Sequence, residues 1–308
     1  MKSSFSCFPQ VNIKFLVACL LFAGVAVQAA PIKVLIVDGC NNHDWERSTK
    51  MMKDLLEPTK LFSISVDTVP SNTVEPAWVK WCPAFGDFDV VIQNYNNNSG
   101  GPAWPPAAKA AFEQFVRKGG GVFIMHAANN AFPEWEAYNR LIGLGWRQKD
   151  YGSAIMVNPD GTLRRIPAGQ GNDTSHGKRT DRVIHRLGDH PIHAGLPRRW
   201  MTPLIEVYTY ARGPAENMTV LSWAQDPETK TGWPIEWVVE DGKGRCYNST
   251  FGHVWRGETD PVDIRCAGFQ TILVRALQWL ARQPVTWPVP SDFPTESATV
   301  LRPLPKQD

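Results

Sequence analysis

Apolar runs and amphipathic runs alternate through the first half of the chain. Ile32 to Asp38 is almost wholly apolar and reads as a buried strand. Glu46 to Leu56 places Met51, Met52, Leu55 and Leu56 at helical spacing, and Pro58 stops it. Leu61 to Thr68 alternates apolar and polar residues, which suits a more exposed strand. Phe88 to Gln93 is a third strand and ends in the polar run Asn94 to Pro102. Pro105 to Lys118 is an amphipathic helix with proline in its first turn. A glycine turn at Gly119 to Gly121 then leads into a short apolar strand that stops at His126. This order predicts βαβ units, a mostly parallel sheet and helices on both faces.

The second half is less regular. Glu134 to Ile142 reads as a helix, and Trp146 to Arg199 as short strands and turns around a polar insert, Gly169 to Gly177. Four strand candidates follow: Leu204 to Ala211, Met218 to Trp223, Pro234 to Glu240 and Arg245 to Thr250. Asp241-Gly242 is a hairpin signal between the last two. Cys266 to Arg282 is a closing helix, and the proline-rich tail 284–308 is an extended strap or a disordered end. No repeat or linker divides the chain. We expect one α/β domain over residues 30–283 with an irregular β-rich insertion.

Composition narrows the class. The chain has 308 residues, 43% hydrophobic and 20% charged, which is globular. Residues 1–29 read as a secretory signal, with Lys2 and Lys14 ahead of the apolar stretch Phe15 to Val27 and the small-residue cleavage site Val27-Gln28-Ala29. Export to the periplasm or beyond is the expectation, and no other stretch spans a membrane. Without those two lysines, the 32 basic residues fall to 30 against 30 acidic, so the mature chain is near neutral. It has no basic stripe, which argues against a nucleic-acid partner. Export leaves Cys40, Cys82, Cys246 and Cys266, for which three pairings are open.

Candidate chemistry gathers at strand ends. His43, His126 and His253 each follow a strand candidate, and in a parallel sheet the ligand crevice lies outside the strands' carboxyl ends. Imidazole is both an acid–base group near neutral pH and a metal ligand. Three histidines with an open position could hold zinc or manganese. Glu206, an acid in an apolar run, is a candidate base or supporting carboxylate. Trp45 and Trp255 flank two of the histidines and could stack on sugar rings. Asn94, Asn129 and Tyr208 complete the expected binding set. His185, His190 and His193 read as structural and His176 as solvated. There is no P-loop, no G-x-G-x-x-G after the first strand and no G-x-S-x-G.

Several segments, in order, resemble the ThuA-like (trehalose utilisation) family of the class I glutamine amidotransferase-like superfamily. They are Asn42-His43-Asp44-Trp45, Gly120 to Ala127, Asp189-His190-Pro191-Ile192, Glu206-Val207-Tyr208, Pro234-Ile235-Glu236-Trp237, Gly242 to Tyr247, and Gly252-His253. Ile205 stands where the family often carries an acid, and the Asn172 region is an insert. The resemblance implies a flavodoxin-like core with His126 at the elbow where amidotransferases carry a nucleophilic cysteine, so no thioester glutaminase mechanism. It also implies a role in sugar catabolism: isomerisation or cleavage of a keto-sugar made by a partner dehydrogenase. Glu206 or His126 would be the base and His43 and His253 the electrophilic pair, with or without a metal. The alternatives are a non-catalytic carbohydrate-binding protein on the same fold and a metal-dependent hydrolase.

Overall fold

A computed structural model describes Met1 and residues 30–303 of the chain. The leader expected over residues 1–29 lies, but for Met1, outside the described residues. The folded unit that carries the sheet begins at Pro31.

Five parallel strands form the heart of the sheet. They are β1 (Ile32–Asp38), β2 (Phe62–Thr68), β3 (Val90–Gln93), β4 (Gly121–Ile124) and the last strand, β14 (Gly244–Ser249), in the spatial order β2-β1-β3-β4-β14. Every contact between neighbours along this run is parallel. Helix α1 (Trp45–Leu56) joins β1 to β2, the short α2 (Pro76–Lys80) precedes β3, and α3 (Pro106–Arg117) joins β3 to β4.

Strand alternation decides which helix covers which face. On one face Val34, Ile36, Val90, Ile92 and Phe123 pack against Met51, Met52 and Leu56 of α1 and the closing helix α6 (Ala267–Leu280). On the other, Leu35, Val37, Val91, Val122 and Ile124 pack against Phe112 and Phe115 of α3 and Leu141 and Ile142 of α4 (Glu136–Ile142). β2 lies at the edge and exposes its polar residues, as its alternation predicts.

Beyond β14 the sheet turns antiparallel. The Asp241-Gly242 hairpin returns the chain from β13 (Gly232–Asp241), and β12 (Met218–Gln225), β8 (Thr180–Arg186) and β9 (Arg199–Ile205) continue outward. β5 (Ser153–Val157), β6 (Leu163–Ile166) and β11 (Arg212–Gly213) attach off this path. The sheet is therefore mixed, with parallel strands at its core.

The continuous strand expected over Leu204 to Ala211 is broken. β9 stops at Ile205, and only the two-residue β10 (Tyr208–Thr209) follows, paired with β7 (Ser175–His176). The irregularity is local: Leu204, next to last in β9, takes φ +41°, a left-handed value, beside a register shift in the β8–β9 pairing.

Past α5 (Val262–Arg265) and α6, the proline-rich tail is an extended strap. Its carbonyls at Thr295 and Val300 accept from Met201 and Ala267 at 2.7 and 2.8 Å. Cys40, Cys82, Cys246 and Cys266 are free thiols. No helix among the described residues is long and apolar enough to cross a membrane.

Two buried polar groups organise the interior. The fully buried Glu236 carboxylate accepts from the Tyr247 hydroxyl at 2.7 Å, from Ser222, and lies 3.2 Å from His193 Nε2. Burial pushes this carboxyl up, but His193, Ser222 and Tyr247 outweigh burial and hold it below the ordinary carboxylate range. The Arg147 guanidinium, also buried, donates to the carbonyls of Asn130 (2.9 Å) and Ala131 (2.6 Å) and to Asn139 Oδ1. It thereby ties the turn after β4 to α4.

Glu236 is more acidic folded than unfolded, so its contribution is present above the unfolded value, near 4.5, and lost as pH falls below it. Acid unfolding of Glu236→Gln, followed by circular dichroism, should accordingly show a shallower loss of stability below that pH than the parent. Arg147→Met leaves several buried carbonyls without donors. It should lower the denaturant midpoint by an amount worth on the order of 3 kcal/mol.

Candidate functional site

Parallel pairing of β1, β4 and β14 brings three chain segments to one edge of the sheet, and each carries a histidine just beyond its strand. After β1, the Asn41 side chain accepts from the His43 N–H at 3.1 Å, and Asp44 caps α1 by accepting from Arg47 N–H. After β4, His126 itself takes φ +43° at the entry to a 3-10 turn, His126–Asn130, a tight elbow that aims its ring back over the edge. After β14, Gly252 takes φ +88°, and the Gly252 and His253 N–H groups donate to the buried Asp263 carboxylate at 3.0 and 3.1 Å. Burial pushes Asp263 up to about 7.

The three rings meet. Ring centroids of His43 and His126, and of His43 and His253, lie 4.7 Å apart, and those of His126 and His253 lie 5.2 Å apart. The break after Leu204 swings Glu206 out of strand alternation and into this cluster. Its carboxylate lies 3.4 Å from His126 Nε2, from His253 Nε2 and from His176 Nε2. The contact from His126 lacks hydrogen-bond geometry and leaves its Nε2 without a protein partner, as are both nitrogens of His43. One donor atom from each of His43, His126, Glu206 and His253 lies within 4.8 Å of the others, and all four residues are buried.

Outward contacts set the tautomers. His126 Nδ1 lies 2.9 Å from the Thr250 carbonyl and His176 Nδ1 lies 2.8 Å from that of Gly177, so each carries its proton on Nδ1. His253 Nδ1 faces Glu258 Oε2 at 3.5 Å. All three rings turn Nε2 toward Glu206. Burial, with the neighbouring imidazoles, lowers His43 to about 2 and His253 to about 3, so both are neutral at physiological pH. Burial alone would raise Glu206, but the surrounding histidines outweigh it and hold the carboxyl below the usual range.

Above this floor opens a cavity of about 330 Å³. Its walls are amides (Asn42, Asn96, Asn98, Asn130) and aromatics (Trp146, Tyr208, Trp255), with His43, His176 and Glu206 at the base. No lysine or arginine lines it. Trp255, 48% exposed, stacks over His253 and meets His43 edge-on. Burial and Glu206 push the Tyr208 phenol far above its ordinary value, which keeps it a neutral donor.

Tyr208 and Trp255 therefore stand on the wall as the sequence suggests, and three other expected binding residues do not. Asn94 is pinned beneath it, donating to the Trp45 carbonyl and the hydroxyls of Ser48 and Thr49. The half-buried Trp45 side chain is likewise absent from the wall. Asn129 is fully buried behind the elbow, and its neighbour Asn130 faces the cavity instead. His176, read from sequence as solvated, lies on the β7–β10 ladder opposite Tyr208 and reaches Glu206. A two-residue ladder leaves no periodic signal to find it by. His185, His190 and His193 lie elsewhere: His185 stacks on Trp223, His190 caps a turn and His193 meets Glu236.

Comparison with known proteins agrees with this architecture. The family model described as ThuA, trehalose utilisation, matches residues 33–280. The crystal structure of a ThuA-like protein from Parabacteroides merdae is similar at a TM-score of 0.81 and 32% identity, over 89% of this chain and 98% of that one. A ThuA-like protein from Bacteroides uniformis shares the fold at a TM-score of 0.55 and 19% identity, over 83% and 95%. No curated protein matches the chain. The family model covers most of the sequence and the Parabacteroides relative is covered almost completely: the chain belongs to the ThuA (trehalose utilisation) family.

Proposed function

We propose that this protein is an exported enzyme of sugar catabolism that enolises a keto-sugar or 3-keto-glycoside, leading to isomerisation or cleavage. The observation that carries the reading is the floor of the cavity: a buried carboxylate ringed by imidazoles, beneath walls of neutral amides and aromatics. A ketone acidifies the neighbouring C–H, and a positioned base is what that proton requires. Glu206 and His126 face the floor with free lone pairs and are the candidate bases. The walls suit an uncharged polyol, since amides match hydroxyl groups and Trp255 offers a flat face to a sugar ring.

His43 and His253 are the candidate electrophilic pair for the developing enediolate, with or without a metal held at their nitrogens. A partner dehydrogenase that supplies the ketone fits this scheme. A carbohydrate-binding role without turnover is the second reading, favoured by the same amide and aromatic walls.

Incubation of the mature protein with a 3-keto-glycoside in deuterated water should place deuterium beside the carbonyl. His126→Ala and Glu206→Ala should each lower that exchange by about 10²-fold or more, the usual contribution of a positioned base. Exchange at parental rates in both variants would end the enolisation reading, and tight binding with no exchange would favour the second. Trp255→Ala should raise KM and leave kcat within about threefold, as expected when binding is lost equally from ground and transition states. Export predicts a mature N-terminus at Ala30, which N-terminal sequencing of the periplasmic or secreted protein would read directly.

A further inference from the structure

We propose that His43, His126, His253 and Glu206 form a binding site for one divalent first-row transition ion. In it, Glu206 supplies one carboxylate oxygen to the ion, and Glu258 is a positioning residue that acts through His253. The centre stands on geometry alone and does not depend on the keto-sugar reading.

Four observations converge on it. First, one donor atom from each of the four residues lies within 4.8 Å of the others, and several have no protein partner. His126 Nε2 and both His43 nitrogens are buried without a protein partner, although other polar atoms lie close by. Buried polar atoms left unpaired are costly, and a cation among them removes that cost.

Second, the spacing fits. Metal–ligand bonds of about 2.0–2.1 Å in a tetrahedron put neighbouring donors roughly 3.3–3.4 Å apart. The Glu206 oxygens lie 3.4 Å from His126 Nε2 and from His253 Nε2. The widest pair, within 4.8 Å, would be drawn in on binding.

Third, the outward nitrogens are held as those of metal-bound histidines usually are. A carbonyl or a carboxylate takes the other ring N–H and turns the lone pair toward the ion. Thr250 does this for His126, and Glu258 Oε2 stands 3.5 Å from His253 Nδ1, outside hydrogen-bond geometry. Glu258 is itself held by Arg179, whose guanidinium reaches Oε1 at 3.3 Å.

Fourth, charge is left over. Among the described residues, no lysine or arginine pairs with Glu206. A buried carboxylate with no lysine or arginine beside it lacks a fixed compensating charge, which a divalent ion would supply. Nitrogen-rich donors with one carboxylate suit zinc, manganese, iron or cobalt better than magnesium or calcium, which prefer oxygen. His176 touches the same carboxylate but stands outside the quartet and faces the cavity, 32% exposed.

The test is metal uptake by the full mature chain. The protein is stripped with EDTA, then titrated with Zn²⁺ against a competing chelator and, separately, with Co²⁺ while its visible absorption is recorded. One equivalent per chain is expected, with Co²⁺ bands of a low-coordinate nitrogen–oxygen site. His43→Ala, His126→Ala and Glu206→Gln should each weaken Zn²⁺ by about 100-fold or more. Glu258→Gln should weaken it by about 10–100-fold, the usual effect of losing an outer partner, and shift the Co²⁺ bands. His176→Ala should stay within about threefold of the parent.

Circular dichroism and a thermal melt of each stripped variant separate ligand loss from misfolding. Should an alanine variant fail to fold, the asparagine variant of the same histidine replaces it. Failure of the folded parent to take up one equivalent at micromolar metal would overturn the proposal. So would folded quartet variants with parental affinity, or uptake that depends on His176 and not on the quartet. Stoichiometric uptake with no deuterium exchange into a keto-glycoside would sink the substrate reading and leave the centre standing.

Discussion

Parallel strands end together, and the geometry of this protein follows from that constraint. β1, β4 and β14 are far apart in sequence, yet parallel pairing through β3 carries their carboxyl ends to one line. Each chain must then turn back over a helix-covered face. The turns are tight because both faces of the sheet are buried in apolar clusters, leaving the edge as the place where polar groups can gather. Three histidines just beyond those ends are thus brought within van der Waals distance of one another.

Packing so many imidazoles around a carboxylate creates an electrostatic problem, and the surroundings answer it by orientation. Burial keeps His43 and His253 neutral, which avoids repulsion among the rings. Carbonyls of Thr250 and Gly177 take the outward protons of His126 and His176. Arg147 anchors the turn that carries His126 by gathering the carbonyls beyond it, so the elbow is braced from behind rather than from within the cavity.

The parallel core was legible in the sequence because its signals are local. Continuous apolar runs, helical spacing in α1 and α3, proline at the start of α3 and the Asp-Gly hairpin each leave a mark within a few residues. The edge location of His43, His126 and His253 followed from topology, since each directly succeeds such a run. What could not be read depends on contacts between segments that carry no period. The polar insert gave no sign that His176 would lie opposite Tyr208. Asn94 and Asn129 sat at the right strand ends, but Asn94 turns its amide to helix α1 and Asn129 is fully buried, and Asn96 and Asn130 line the cavity instead. Side-chain direction at a tight turn is settled by packing, which a linear pattern does not encode.

The left-handed backbone at Leu204 has a bearing on how related chains are compared. Glu206 joins the histidines just past the end of β9, two residues after the left-handed φ of Leu204. A homologue could retain every histidine and the glutamate and still lack the cluster if its backbone ran straight through that point, since the carboxylate would then follow ordinary strand alternation. Matching side chains in an alignment is therefore a weaker guide to shared chemistry in such proteins than matching the kink that presents them.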